Sequence, residues 1–126
     1  MGKRKSILLA DSEPEQRRLY RITLIFEGFD VYAAGDGLEA LRLLEQGPPD
    51  LVILDFDLPK IDVLSVQQEV AAHAFTRHIP VVLITAHDAD LGGVEGRCVL
   101  RKPVAPEELV RAVRRCLMSG VPGVGL

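Results

Sequence analysis

The sequence predicts one α/β domain: a doubly wound parallel sheet of five strands, order 2-1-3-4-5, with helices on both faces. Short apolar runs alternate along the chain with segments of helical period, as expected for strands joined by crossover helices. One run, LVILDFDLPK at 51–60, carries four consecutive apolar residues straight into Asp55. A strand without polar alternation suits burial on both faces. The connections are short, which favours regular winding of this kind.

SILLA (6–10) is the first strand. From Pro14 to about Gly28 the period is helical, with Leu19, Ile22 and Phe26 at i, i+3 and i+7 as the inward face and Gly28 as the stop. FDVYAA (29–34) is the second strand, and Asp36–Gln46 the second helix, closed by Gly47-Pro48-Pro49. DLVILD (50–55) is the third strand, followed by a helix from about Asp62 to Phe75 with Val63, Val66, Val70 and Ala74 on one face. IPVVLIT (79–85) and CVLR (98–101) are the last strands, and Pro106–Met118 is a final helix with Leu109, Val113 and Leu117 inward. Between Thr85 and Lys102 no amphipathic period exists, and Gly92, Gly93 and Gly96 fall close together. Each glycine costs a helix interior about 0.8–1.0 kcal/mol relative to alanine, so helix four is expected to be shortened or missing. Residues 1–118 then form a single domain and 119–126 a flexible tail.

At 126 residues, 48% hydrophobic and 26% charged, the chain can bury a core without staples. Its net charge of −3 comes from interleaved acids and bases, which excludes the basic footprint of a nucleic-acid reader. The apolar segment after MGKRK is too short for a signal peptide or membrane span, so the expected location is cytoplasmic. Cys98 and Cys116 have no CxxC spacing, and His73, His78 and His87 stand at no metal-ligand spacing from them. The cysteines read as two buried or half-buried thiols in a reducing cytosol.

Parallel strands bring their C-terminal ends to one edge, and strands one and three meet at the switch point, where a crevice forms. Asp11 and Glu13 follow the first strand, Asp55 and Asp57 close the third, Thr85 ends the fourth and Lys102 follows the fifth. Carboxylates gathered in one crevice repel unless a cation neutralises them or some take up protons. Oxygen ligands of this kind favour Mg²⁺. A carboxylate nucleophile beside Mg²⁺, a lysine and a hydroxyl is a site for forming an acyl phosphate. A flavin or nucleotide enzyme of this topology would need a Gly- or hydroxyl-rich phosphate loop where this chain has the acidic DSEPE.

Over residues 5–118 the chain resembles the receiver domain of two-component response regulators, a flavodoxin-like fold. ILLADSEPE is similar to the family's first strand and acidic pocket, and EGFDVYAAGDGLEAL to its second strand and helix. PDLVILDFDLPKID is similar to its phosphoacceptor segment, IPVVLITA to its fourth strand and LRKPVAPEEL to its Lys-Pro turn. The resemblance implies that Asp55 accepts a phosphoryl group from a histidine kinase or histidine phosphotransfer protein. It makes Thr85 the switch hydroxyl, Lys102 the phosphate-binding lysine and the Lys102–Pro103 bond cis. It also implies Mg²⁺ held by Asp11, Asp55 and the backbone carbonyl of Asp57, with the Asp57 side chain and Glu13 as further candidates. Signalling would run through protein–protein contacts, without enzyme activity on other substrates, nucleic acid or membrane.

Three departures from the family pattern matter. Ser12 replaces a second pocket acid, so Mg²⁺ affinity is expected to be weak; with Glu15 it also reads as an S-x-x-E capping box opening helix one. Val99 stands three residues before Lys102, where the family usually has an inward-swinging Tyr or Phe, so that switch is expected to be lost. The segment from Thr85 to Lys102 is shorter than the family norm by about one helical turn, ~5 Å. Together they raise an alternative, a pseudo-receiver that binds partners independently of phosphorylation. His87, Arg17-Arg18 and Arg114-Arg115 read as solvated surface residues.

Overall fold

Unbroken apolar runs belong at the centre of a sheet, and that is where the chain puts them. The computed structural model describes residues 4–55, 69, 78–86 and 98–119. Its strands are β1 (Ser6–Ala10), β2 (Asp30–Ala34), β3 (Leu51–Asp55), β4 (Val81–Thr85) and β5 (Cys98–Arg101). Its helices are α1 (Pro14–Phe26), α2 (Gly37–Gln46) and α3 (Pro106–Ser119). The strands pair in parallel in the order β2-β1-β3-β4-β5, as the alternation of apolar runs and helical periods predicts. β3 and β4 are buried at every position, whereas the edge strands β2 and β5 carry exposed residues. The expected helix over 62–75 (Glu69 apart) and the expected loss of helix four before β5 lie outside the described residues.

Alternate strand residues build two layers. Ile7, Leu9, Ile53 and Ile84 meet Tyr20 and Leu24 of α1 and Leu109 and Val113 of α3. Leu8, Val52, Leu54 and Leu83 enter the opposite layer with Ala40 and Leu44 of α2. Leu117 packs half-buried against the first layer, so the inward face predicted for the last helix is the observed one. Among the described residues no helix is long and apolar enough to cross a membrane.

Helix α1 overturns its predicted face. Tyr20 and Leu24 are its buried residues, while Leu19, Ile22 and Phe26 are 50%, 56% and 86% exposed. Both sets have helical spacing, so contacts outside the helix decide its rotation. The Gln16 and Arg17 side chains are drawn to Asp11, and the Tyr20 hydroxyl donates to the Val104 carbonyl at 2.7 Å. The predicted stop holds: Gly28 has φ 101°, and its N–H donates to Ile25 as that of Phe29 donates to Leu24. This is a Schellman end, which requires the left-handed residue glycine supplies.

The Ser12–Glu15 capping box is not formed. Glu13 is the N-cap and Pro14 opens the helix, because proline's fixed φ and missing N–H suit the first helical position. The Glu13 N–H is already taken by Asp11 Oδ1 at 2.9 Å. A reciprocal cap appears instead on α2, where Asp36 accepts from the Glu39 N–H at 2.8 Å and Glu39 Oε1 accepts from the Gly35 N–H at 3.0 Å.

Cys98 and Cys116, expected as separate thiols, are joined as a disulfide across a Cα separation of 7.2 Å. β5 and α3 border the same core layer, a proximity that linear spacing does not report. Arg114 is also more than a solvated residue: it pairs with Glu27 at 2.7 Å and lies 5.4 Å from the Phe29 ring centroid.

Candidate functional site

Three strands end in a buried polar residue or lead directly into one. Among the described residues, the buried polar and charged side chains are Asp11, Asp55 and Thr85, with exposures of 0%, 1% and 1%. Removing an ionised carboxylate from water costs several kcal/mol unless charge and hydrogen bonds compensate, so each acid here requires partners.

Asp55 closes β3, and Lys102 follows β5. The Lys102 Nζ lies 3.0 and 3.1 Å from the two Asp55 carboxylate oxygens. The lysine side chain is itself only 19% exposed, so the pair is largely withdrawn from solvent. Backbone geometry sets its position: the Lys102 N–H donates to the Thr85 carbonyl at 2.8 Å. The next peptide bond, Lys102–Pro103, is cis, as the resemblance implies. Thr85 and Lys102 are therefore tied to one another and to Asp55 across β4 and β5.

Asp11 follows β1, the neighbour of β3. Its Oδ1 accepts from the Glu13 N–H and its Oδ2 from the Gln16 amide. The Arg17 guanidinium donates to the Asp11 main-chain carbonyl at 2.7 Å. Burial, reinforced by the adjacent Asp55 carboxylate, holds Asp11 above the usual carboxylate range, against the opposing pull of the Gln16 and Glu13 hydrogen bonds. Tyr20 is affected by the same charges: burial and then Asp11, Asp55 and Glu108 push its hydroxyl up to about 12. The pocket thus holds excess negative charge that one lysine does not cancel.

Two adjacent carboxylates facing a lysine and a buried hydroxyl fit a hard divalent cation such as Mg²⁺, which uses one or two carboxylates and keeps several waters. Among the described residues no group of three or more metal-ligating side chains forms. Glu13, a candidate ligand, is exposed at the N-cap and contacts Asp11 through its N–H. Asp57 and His87 lie outside the described residues. Val99 is 45% exposed on β5.

Gln16 and Arg17 are site residues that the sequence reading missed or misplaced. Arg17 is half-buried beneath its contact with Asp11 rather than wholly solvated. Their position in the first turns after an acidic strand end was the available signal, and it is a weak one.

Residues 7–114 match the family model described as the response regulator receiver domain. The chain is 34% identical over 124 residues to the response regulator MprA of Mycobacterium sp. (strain KMS), covering 94% of this chain and 53% of that protein. It is 34% identical over 116 residues to the transcriptional regulatory protein TrcR of Mycobacterium tuberculosis, covering 88% of this chain and 44% of that one. The chain spans about half the length of these curated relatives. Among solved structures, the chemotaxis response regulator CheY4 of Vibrio cholerae shares the fold with a TM-score of 0.85 at 24% identity, covering 90% of this chain and 99% of that one. A response regulator receiver protein from Sinorhizobium medicae WSM419 has a TM-score of 0.83 at 29% identity, covering 94% and 98%. The sheet order, the paired acid and lysine at one edge, and the extent of these matches lead to one assignment: the chain belongs to the response regulator receiver domains of two-component signalling.

Proposed function

We propose that Asp55 is the phosphoacceptor, taking its phosphoryl group from a histidine kinase or histidine phosphotransfer protein. The observation that carries this reading is the buried Asp55 carboxylate held by Lys102 through both oxygens. In the transfer, an Asp55 oxygen forms the new O–P bond while the N–P bond to the donor imidazole breaks and its electron pair returns to nitrogen. The Lys102 ammonium stabilises charge on the phosphoryl oxygens, and the Thr85 hydroxyl donates a hydrogen bond to one of them. Exclusion of water strengthens both interactions and shields the acyl phosphate from hydrolysis.

Asp11 and Asp55 would hold Mg²⁺, with the Asp57 carbonyl and Glu13 as further donors, and the bound ion supplies positive charge against the transferring group. Ser12 at the position of an acid keeps that affinity low. The working unit is one domain over 1–118, active in the cytoplasm; its own chemistry is self-phosphorylation and autodephosphorylation, and its output passes through protein contacts. No observation favours the pseudo-receiver alternative.

Incubation with Mg²⁺ and acetyl phosphate should add the mass of one phosphoryl group to the wild type and none to Asp55→Asn. Absence of the gain in wild type, or an equal gain in the variant, overturns the assignment.

A further inference from the structure

Helix α1 presents a second polar feature, which adjoins the acidic pocket through Arg17. Arg17, Arg18 and Arg21, with Pro14 and with Ala33 of β2, line a groove of about 380 Å³ between the helix and the edge strand. None of the three guanidinium groups forms an ion pair among the described residues, where the pairs join Arg4 to Asp30, Lys102 to Asp55 and Arg114 to Glu27. Three unneutralised cations lining one groove in a chain of net charge −3 form a local positive site, not a by-product of a basic protein. The nearest acids in sequence, Glu13 and Glu15, flank Pro14 and are exposed.

Arg17 is held in position. Its Nη1 donates to the Asp11 carbonyl at 2.7 Å, and it lies across Gly35, where a Cβ would come within 3.1 Å of the same nitrogen. A fixed guanidinium loses less conformational freedom on binding than a free one. Among the described residues, Pro14 and Ala33 are the apolar members of the lining, and no aromatic ring is among them. The groove therefore offers charge and forked donors, with nothing to stack on a base or to bury an acyl chain.

We propose that this groove binds a compact, multiply charged phosphate anion of the pyrophosphate class, gripped by Arg17, Arg18 and Arg21. Planar guanidinium forks match phosphate oxygens two at a time, and two linked phosphates can engage more than one arginine. Because Arg17 also holds the Asp11 carbonyl, the anion would bear directly on the loop that positions the acidic pocket.

The test is a pyrophosphate titration of ¹⁵N-labelled protein, without divalent metal and at about 0.15 M salt, where weak surface attraction is screened. Amide shifts should saturate together at Arg17, Arg18, Arg21 and Ala33. Affinity should fall at least about tenfold in Arg18→Ala/Arg21→Ala, the weight of one lost charge-assisted hydrogen bond. Both residues are exposed, so the double variant should keep its circular dichroism spectrum. Gly35→Ala, which crowds Arg17, should weaken binding as well. Shifts centred on Thr85 and Lys102, failure to saturate, or unchanged affinity in the double variant would each overturn the proposal.

Discussion

Replacing Lys102 with methionine removes the ammonium that faces a buried carboxylate while keeping most of the apolar stem. At 3.0 Å, and with an effective dielectric of about 20, the Coulomb attraction alone is about 5–6 kcal/mol. Desolvation of the ammonium offsets part of it, and breaking a buried pair by deleting one member costs about 3–5 kcal/mol. The lower end applies here, because Lys102 is 19% exposed and Asp55 has interactions besides this pair. The expected loss is therefore about 3 kcal/mol at pH 7, a fall of roughly 9–15 °C in Tm for a domain of this size. Urea unfolding followed by circular dichroism would measure it, with a constant m-value confirming an unchanged fold. The same change in an Asp55→Asn background should cost less than about 1 kcal/mol, since the buried charge is gone. Mg²⁺ should restore part of the stability of Lys102→Met by supplying a cation in place of the lost ammonium. A loss under about 1 kcal/mol, or an equal loss in both backgrounds, would refute the claim that Lys102 compensates the Asp55 charge.

Tyr20→Phe should lose about 1–3 kcal/mol by leaving the Val104 carbonyl without its hydroxyl donor. The Tyr20 hydroxyl is pushed from 10.0 to about 12 in the fold, so the folded state binds that proton more tightly than the unfolded chain. Wild-type stability should therefore hold level up to about pH 10 with respect to this group and fall as pH rises toward 12, a decline missing from Tyr20→Phe in denaturation curves taken across that range. Leu24→Ala should cost about 2–5 kcal/mol, whereas Phe26→Ala, at a residue 86% exposed, should stay within about 0.5 kcal/mol in the same unfolding assay. Equal losses would contradict the observed face of α1. Ser12→Asp should tighten Mg²⁺ binding about tenfold by calorimetry, as an added anionic ligand does; no tightening would count against the missing-acid explanation.

The fold was legible because it rests on local patterns. Apolar runs marked β1, β3 and β4, chain order gave the parallel topology, and topology alone brought Asp11, Asp55, Thr85 and Lys102 to one edge. The face of α1 was not legible. Leu19, Ile22 and Phe26 match the helical period as well as Tyr20 and Leu24 do, and hydrophobicity alone cannot choose between two apolar stripes. The Ser12 cap failed because the helix starts one residue later, with Glu13 at the N-cap and Pro14 at the first helical position. The Cys98–Cys116 pairing and the Arg114 contacts depend on which helix covers which strand, information that spacing does not contain.

The sequence by itself determined the class of fold, the strand order and the chemical identity of the residues gathered at the strand ends, because periodicity and order are properties of the chain. Only the tertiary structure decided how the buried acids are tolerated. Lys102 grips both oxygens of Asp55, Gln16 and Arg17 hold Asp11, and Tyr20 fixes the rotation that aligns them. The cost of burying a charge depends on what surrounds it in space, and those neighbours lie as far as 47 residues away along the chain.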